Sequence, residues 1–348
     1  MDIKRAVQQV LLGNDLKVDE MRKVMIQIMS GKATDAQIGG FLVGLRIKGE
    51  TVDEIIGAAQ IMRELSLTLK IDNQNLVDIV GTGGDGAGIF NVSTASIFVA
   101  AAAGANVAKH GNRGVSSNSG SADLLEAAGI NINLSEQQII SCVKETGVGF
   151  MFAVNHHAAM KYAVSPRREL GVRTIFNLLG PLTNPANARN MVLGVYDKKW
   201  LRPLAEVMKK LGGKNVLVVH SEDGLDEISI SANTLVTELK NNKITEYSVS
   251  PEDFGMRKGI LNDLKVKDPE ESFQLIKSAL TKQAVLSAKV EAASDMIAMN
   301  AGAALYVSGI AKDLKEGVIL AQDSIGSGLA KEKISELASF TNCFNQLT

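Results

Sequence analysis

Apolar residues recur at three- and four-residue intervals through residues 3–62: Ile3, Val7, Val10 and Leu11, then Met21, Val24, Met25 and Ile28, then Ile38, Phe41, Leu42 and Leu45, then Ile55, Ile56, Ala59 and Met62. Each group marks one face of an α-helix, so the spacing predicts four short helices in succession. Thr34 with Gln37 and Thr51 with Glu54 form capping boxes at two of the starts, and Gly13, Gly31 and Gly49 follow three of the expected ends. From Leu76 the period changes. Short β-branched runs at 76–80, 106–109, 191–195 and 216–219 alternate with helical stretches at 97–105, from Ser135 onward and at 200–211. Such alternation predicts an α/β unit with a largely parallel sheet covered by helices. A helical, proline-marked interlude at 156–185 interrupts it, either as a linker or as a return of the chain to the first helices. The methionines of the N-terminal helices lie at core spacing, so their first reading is packing against the chain's own α/β unit; a self-association surface is the alternative.

Composition narrows the function without choosing it. A chain of 348 residues has material for about two domains at ~150 residues each. Thirty-seven basic against 38 acidic residues leave a net charge of −1, so no global positive field favours nucleic acid or an anionic membrane, and any anion site must be built locally. The longest apolar run, 97–105, falls far short of the ~20 residues of a membrane span. No basic stretch followed by an apolar core opens the chain, which leads us to expect a cytoplasmic protein. Two cysteines, Cys142 and Cys343, are too few for a disulfide framework or a thiolate metal site.

The chemistry concentrates after the first strand. Gly81-Thr82-Gly83-Gly84-Asp85-Gly86-Ala87-Gly88 leads to Asn91-Val92-Ser93-Thr94 at the head of a helix. Glycines let backbone amides approach a ligand, and the helix N-terminus adds unpaired N–H groups and a positive dipole end, which together make an anion cradle. Gly81, Gly83 and Gly86 satisfy G-x-G-x-x-G formally, but the second strand ends in Lys109-His110 rather than an acid, which disfavours a dinucleotide. Asp85 inside an anion cradle requires a hydroxyl or a divalent cation beside the phosphate, so a sugar phosphate with magnesium fits. Lys109-His110-Gly111-Asn112-Arg113 and the donors Ser116, Ser117, Asn118, Ser119 and Ser121 stand at the end of the neighbouring strand, where ligands of open α/β sheets bind. His156-His157 and His220 lack zinc-site spacing, and no nucleophile elbow or Walker lysine is present.

Together, Gly81-Thr82-Gly83-Gly84-Asp85, Asn91-Val92-Ser93-Thr94 and Lys109-His110-Gly111-Asn112-Arg113 closely resemble the signature of the anthranilate phosphoribosyltransferase family of tryptophan biosynthesis. The segment from Arg167 through Arg173-Thr174-Ile175-Phe176-Asn177-Leu178-Leu179-Gly180-Pro181-Leu182-Thr183-Asn184-Pro185 is similar to that family's hinge and acceptor segment, and Gly224-Leu225-Asp226-Glu227-Ile228 to its magnesium-binding acidic pair. The resemblance spans essentially the whole chain. It implies a nucleoside phosphorylase-like phosphoribosyltransferase fold: a small all-helical domain at 1–70, joined by the returning segment 156–185, and a larger α/β domain at 71–348 with a mostly parallel sheet. It also implies homodimers formed through the helical part.

The implied reaction transfers the 5-phosphoribosyl group of phosphoribosyl pyrophosphate (PRPP) to the amine of anthranilate with release of pyrophosphate. By resemblance Gly81, Thr82, Gly83, Gly84, Asp85, Asn91, Ser93, Thr94 and Lys109 grip the donor with a contact from Ser121; Lys109 and Asp85 act in catalysis; Ser93, Asp226 and Glu227 hold Mg²⁺; and Arg167, with His110, Gly111 and Asn112, takes the acceptor. Val154 and Ala158 stand where prolines are usual, and Ser165-Pro166 where proline-valine is, changes that touch the backbone near the acceptor channel. Two rival readings make different demands. A pyrimidine nucleoside phosphorylase should carry a lysine-serine/threonine stretch at 109–112, and a nucleic-acid-binding paralogue should show a basic surface and eroded motifs; this sequence has neither.

Overall fold

The computed structural model describes residues 1–71, 75–114, 118–281 and 285–344. Helices α1 (Ile3–Leu11), α2 (Val18–Met29), α3 (Asp35–Lys48) and α4 (Val52–Glu64) come first. The chain then runs through β1 (Leu76–Gly81), α5 (Val92–Ala102), β2 (Asn106–Gly111), α6 (Ser121–Ala127), α7 (Glu136–Thr146), β3 (Val148–Phe152), α8 (Ala153–His156), α9 (Lys161–Leu170), α10 (Ile175–Leu179), β4 (Asn190–Gly194), α11 (Leu201–Lys210) and β5 (Asn215–Ser221). A hairpin, β6 (Thr234–Lys240) and β7 (Lys243–Val249), and four helices, α12 (Pro269–Ala279), α13 (Ala288–Ser308), α14 (Leu314–Ser327) and α15 (Leu329–Cys343), complete it.

The four N-terminal helices stand where the periodicity put them, and Thr34, Thr51 and Ser135 cap their helices through the backbone N–H groups of Gln37, Glu54 and Gln138. Among the described residues the strands form a seven-stranded sheet in the order β3-β2-β1-β4-β5-β6-β7, parallel from β3 to β5 and antiparallel beyond. Sequence reasoning missed three of these strands. Every residue of β3 is buried, so its apolar run carries no period of two. The β6–β7 pair turns through Asn241 and Asn242, both at positive φ, a turn geometry usually announced by an Asn-Gly pair that this sequence lacks.

Two apolar cores flank the sheet. One joins β1–β3 to α5, α7 and α13–α15. The other unites α1–α4 with Ile175, Phe176, Leu178, Leu179 and Leu182 of the interlude, with α11, and with the opposite faces of β4 and β5. The interlude therefore returns to the N-terminal helices, one of the two options its sequence left open. Arg63 of α4 fastens the junction, its Nε donating to Leu182 O (2.6 Å), while Leu67 N–H bonds His156 O and Leu69 N–H bonds Pro185 O. At the far end of the helices Glu54, fully buried, accepts from Leu16 and Thr51 N–H and pairs with Lys48 at 3.0 Å, locking the α3–α4 turn to the α1–α2 link. No helix among the described residues is long and apolar enough to cross a membrane.

Candidate functional site

The parallel strands β1, β2 and β4 end together, and the glycine loop leaves β1 there. Gly83 and Gly84 adopt φ of 66° and 78°, a region costly for residues with a Cβ. Asp226 reaches into the loop from the β5–β6 connection, its Oδ2 accepting from Gly83 N–H at 2.7 Å. It can do so because the strand ends beside it are glycines: a Cβ on Gly81 would stand 2.3 Å from Asp226 Oδ2, and one on Gly194 would stand 1.6 Å from Asp226 O. Glu227 turns the other way and accepts from Ser93 N–H (3.2 Å) in the first turn of α5.

Lys109, 1% exposed, lies beneath this cluster, its Nζ 2.5 Å from Ile79 O and 3.3 Å from Ser93 Oγ. Burial lowers its pKa, against the pull of Asp78, Glu227 and Asp226. Burial raises Asp226 to about 7, aided by the charge of Asp85, and raises Glu227 to about 8, aided by Asp226. Three carboxylates thus crowd one ammonium, an excess of buried negative charge that a divalent cation would relieve. Among the described residues no three His, Cys, Asp or Glu side chains stand close enough to hold a metal unaided. That donor set fits magnesium, which takes one or two carboxylates and completes its shell with water and phosphate oxygens.

Other expected donor-side residues brace the loop from within. Thr82 Oγ1 accepts from Tyr196 N–H, and Thr94 Oγ1 donates to Ser121 Oγ at 3.0 Å. Asn91 Oδ1 accepts from Ser119 Oγ (2.7 Å) and Ser272 Oγ (2.8 Å), joining the loop exit to α12. Gly111 packs closely against Ser121 and Phe150, where a Cβ would stand 3.0 Å from each side chain. Arg113 does not join Lys109 in an anion pocket: it forks onto Glu126 and bonds Asp123, acids three positions apart on α6 that draw it to the surface. Ser116 and Ser117 lie outside the described residues.

The acceptor side is built by the interlude. Arg167 on α9 is half-buried, with its guanidinium 5.1 Å from the centre of the Phe176 ring; burial lowers its pKa, and no neighbouring carboxylate raises it. Arg168, next to it, is exposed. His110 and His157 lie ring against ring with centroids 5.1 Å apart, both buried, each with Nε2 lacking a partner among the described residues. Burial, with each ring's like-charged histidine neighbours, pushes them to about 3 and about 4, so both are neutral at pH 7. Thr174 Oγ1 is a third buried polar atom without a partner among the described residues. Asn112 holds its own loop, accepting from Arg113 N–H through Oδ1.

Sequence reasoning gave no role to several groups that assemble the site. Asp78, in the middle of β1 and fully buried, accepts from Asn184 Nδ2 (2.7 Å) and His110 N–H (3.3 Å), tying the interlude to β2; a carboxylate inside a buried strand was the available signal. Arg173 donates to Gly84 O and lies over the Tyr196 ring at 4.2 Å, so the interlude also touches the glycine loop. Gly194 and His157 are visible only once the strands are aligned.

Family models support the two-part organisation. The helical bundle domain of a glycosyl transferase family matches residues 4–66, and its a/b domain matches residues 73–331. Anthranilate phosphoribosyltransferase of Marinomonas sp. (strain MWYL1) is 60% identical over 99% of this chain and 98% of its own. That of Cellvibrio japonicus is 58% identical over 98% and 99%. Among solved structures, anthranilate phosphoribosyltransferase from Thermus thermophilus superposes with a TM-score of 0.90 at 41% identity, covering 97% of this chain and 99% of that one. The Saccharomyces cerevisiae enzyme in complex with PRPP and Mg gives 0.88 at 25% identity, covering 98% of each.

Proposed function

The chain belongs to the anthranilate phosphoribosyltransferase family, and from that premise we propose how its residues divide the transfer of the 5-phosphoribosyl group from PRPP to the amine of anthranilate, a step of tryptophan biosynthesis. The observation that carries the reading is the convergence of Asp85, Asp226 and Glu227 on a glycine loop with Lys109 beneath it.

The donor is held at the loop. Gly84 and the N-terminus of α5, with the Ser93 and Thr94 hydroxyls, face the diphosphate, while Gly81 and Gly83 seat Asp226 beside it; Thr82, Asn91, Ser121 and Gly111 keep that surface in shape. Ser93, Asp226 and Glu227 would hold Mg²⁺, which when bound would supply positive charge beside the pyrophosphate. Asp85 takes a ribose hydroxyl or the hydrated cation. Lys109 contributes a fixed cation through Ser93 as negative charge builds on the leaving group and C1 gains oxocarbenium character.

The acceptor enters from the interlude side. Arg167 presents two parallel N–H groups to the anthranilate carboxylate, and Asn112 lines the same pocket. The neutral imidazoles of His110 and His157, buried ring against ring, wall the acceptor side. An aromatic amine is nucleophilic without prior deprotonation, so holding it in line with C1 supplies much of the acceleration. Arg173 of the returning segment 156–185 meets Gly84 of the glycine loop, and closure of that segment over the donor excludes water that would otherwise hydrolyse it.

The enzyme acts as a homodimer through its helical part, where Leu11, Leu12 and Ile47 are 68%, 74% and 79% exposed. Its two cysteines are free thiols, in keeping with a cytoplasmic enzyme. Loss of anthranilate fluorescence, followed with and without PRPP and with and without Mg²⁺, tests the assignment: both additions are required, and turnover without PRPP or undiminished by chelation counts against it.

A further inference from the structure

The acidic pair Asp226–Glu227 stands in an irregular connection between β5 and β6, where no ladder fixes the backbone. Something else must. Asn300, in the middle of α13 and fully buried, accepts from Ile228 N–H through Oδ1 (3.0 Å) and donates through Nδ2 to Ile228 O (2.8 Å) and to Met296 O (2.9 Å). One side-chain amide therefore satisfies both polar groups of a single residue, as a neighbouring strand would, and anchors them to a helix.

That helix is a rigid support. Ala298, Ala301, Ala303 and Ala304 are buried along it, and Gly302 touches the backbone of α14 so closely that a Cβ there would stand 2.6 Å from Val318 N. Ile228 is the residue after Glu227, whose carboxylate is bonded to the head of α5. We propose that Asn300 is a positioning residue for magnesium binding: its amide clamp on Ile228 holds the backbone from which Asp226 and Glu227 reach the glycine loop. An apolar residue of similar size would fill the space yet leave Ile228 N–H and C=O buried without partners. An aspartate would accept from the N–H but could not donate to either carbonyl.

The inference rests on the reading of Asp226–Glu227 as magnesium ligands, and the two can fail separately. Mn²⁺, as a probe of the magnesium site, is titrated by electron paramagnetic resonance into the full-length protein with PRPP present, for the parent, Asn300→Ala and Glu227→Gln. We expect folded Asn300→Ala to bind Mn²⁺ about tenfold more weakly, the usual loss when a group orienting metal ligands is removed. Its KM for anthranilate should match the parent, and high Mg²⁺ should restore its turnover. Parent-like Mn²⁺ binding in Asn300→Ala, alongside a loss in Glu227→Gln, overturns the proposal alone. No loss in Glu227→Gln overturns the magnesium reading beneath it. Equal damage to Mn²⁺ binding and anthranilate KM means general disruption and also overturns the proposal. Should Asn300→Ala not fold, Asn300→Ser takes its place; if neither folds, Asn300 serves stability rather than the metal, and the proposal fails.

Discussion

Arg167 is a half-buried guanidinium with no acid beside it among the described residues, stacked on Phe176. Burial without a partner is unfavourable for a cation, so the site is completed when a carboxylate arrives. Replacing Arg167 by Ala should remove about 2–3 kcal/mol of charge-assisted hydrogen bonding, raising the KM for anthranilate roughly 30- to 160-fold with little change in that for PRPP; steady-state kinetics in both substrates decide it, and an unchanged anthranilate KM rejects the role. A second consequence concerns protons. Asp226 and Glu227 sit at about 7 and about 8 in the fold, above their ordinary 3.8 and 4.5. The folded state therefore binds more protons than the unfolded chain between those values, and stability falls as pH rises through that window. His110 and His157, lowered to about 3 and about 4, act in the opposite sense and only below pH 6.5. Lys109, lowered by burial, works against this loss as pH rises, so the test is comparative: between pH 6.5 and 8 the ligand-free parent should lose more thermal stability than Asp226→Asn with Glu227→Gln, and parallel melting profiles from calorimetry would contradict this. Residues of this kind were unevenly legible. The glycines, Asp85 and Lys109 stood out because their chemistry is contiguous in sequence, whereas Asp226 and Glu227 look like any solvated acidic turn until Gly83 is seen to bond one of them.

Elements reveal what single positions hide. Gly194 closes β4 in a run that reads simply as strand, Met191-Val192-Leu193-Gly194-Val195. Only the parallel pairing of Gly81 with Gly194 shows that two glycines lie side by side with Asp226 crossing over both. An alanine at Gly194 would drive its Cβ into a backbone carbonyl, which cannot rotate away as a side-chain tip could. Gly194→Ala should therefore cost about 1–3 kcal/mol of stability and, in the protein that still folds, weaken the Mg²⁺ dependence of turnover. Denaturant unfolding and metal titration together check it, and a variant as stable as the parent is inconsistent with the packing described. The helices were legible because capping boxes and a 3.6-residue period are local signals. Strands β3, β6 and β7 were not, since uniform burial erases alternation in the first and Asn241-Asn242 turns the other two without a glycine.

At the scale of the molecule the same core that joins α1–α4 to the sheet leaves apolar side chains uncovered on the outer helices. Leu11 and Leu12 end α1 and Ile47 lies near the end of α3, while Val43, Arg46, Leu170, Val172 and Arg173 line an open hollow with Ile47 between α3 and the interlude. Isolated exposed apolar residues need no explanation, but a group of them beside a hollow is where a second copy gains most by binding. Charge does not oppose it, since a net charge of −1 brings little repulsion between copies. The hollow borders Arg173, which also touches Gly84 of the glycine loop, so pairing there would brace the segment that closes over the donor. Leu11→Asp with Ile47→Asp should shift the mass in light scattering from two chains to one. Because the interlude then loses its brace, turnover should fall further than the affinity for either substrate. A double variant that keeps the dimeric mass moves the contact elsewhere, and a monomer with full turnover would show that each chain closes its own site without help.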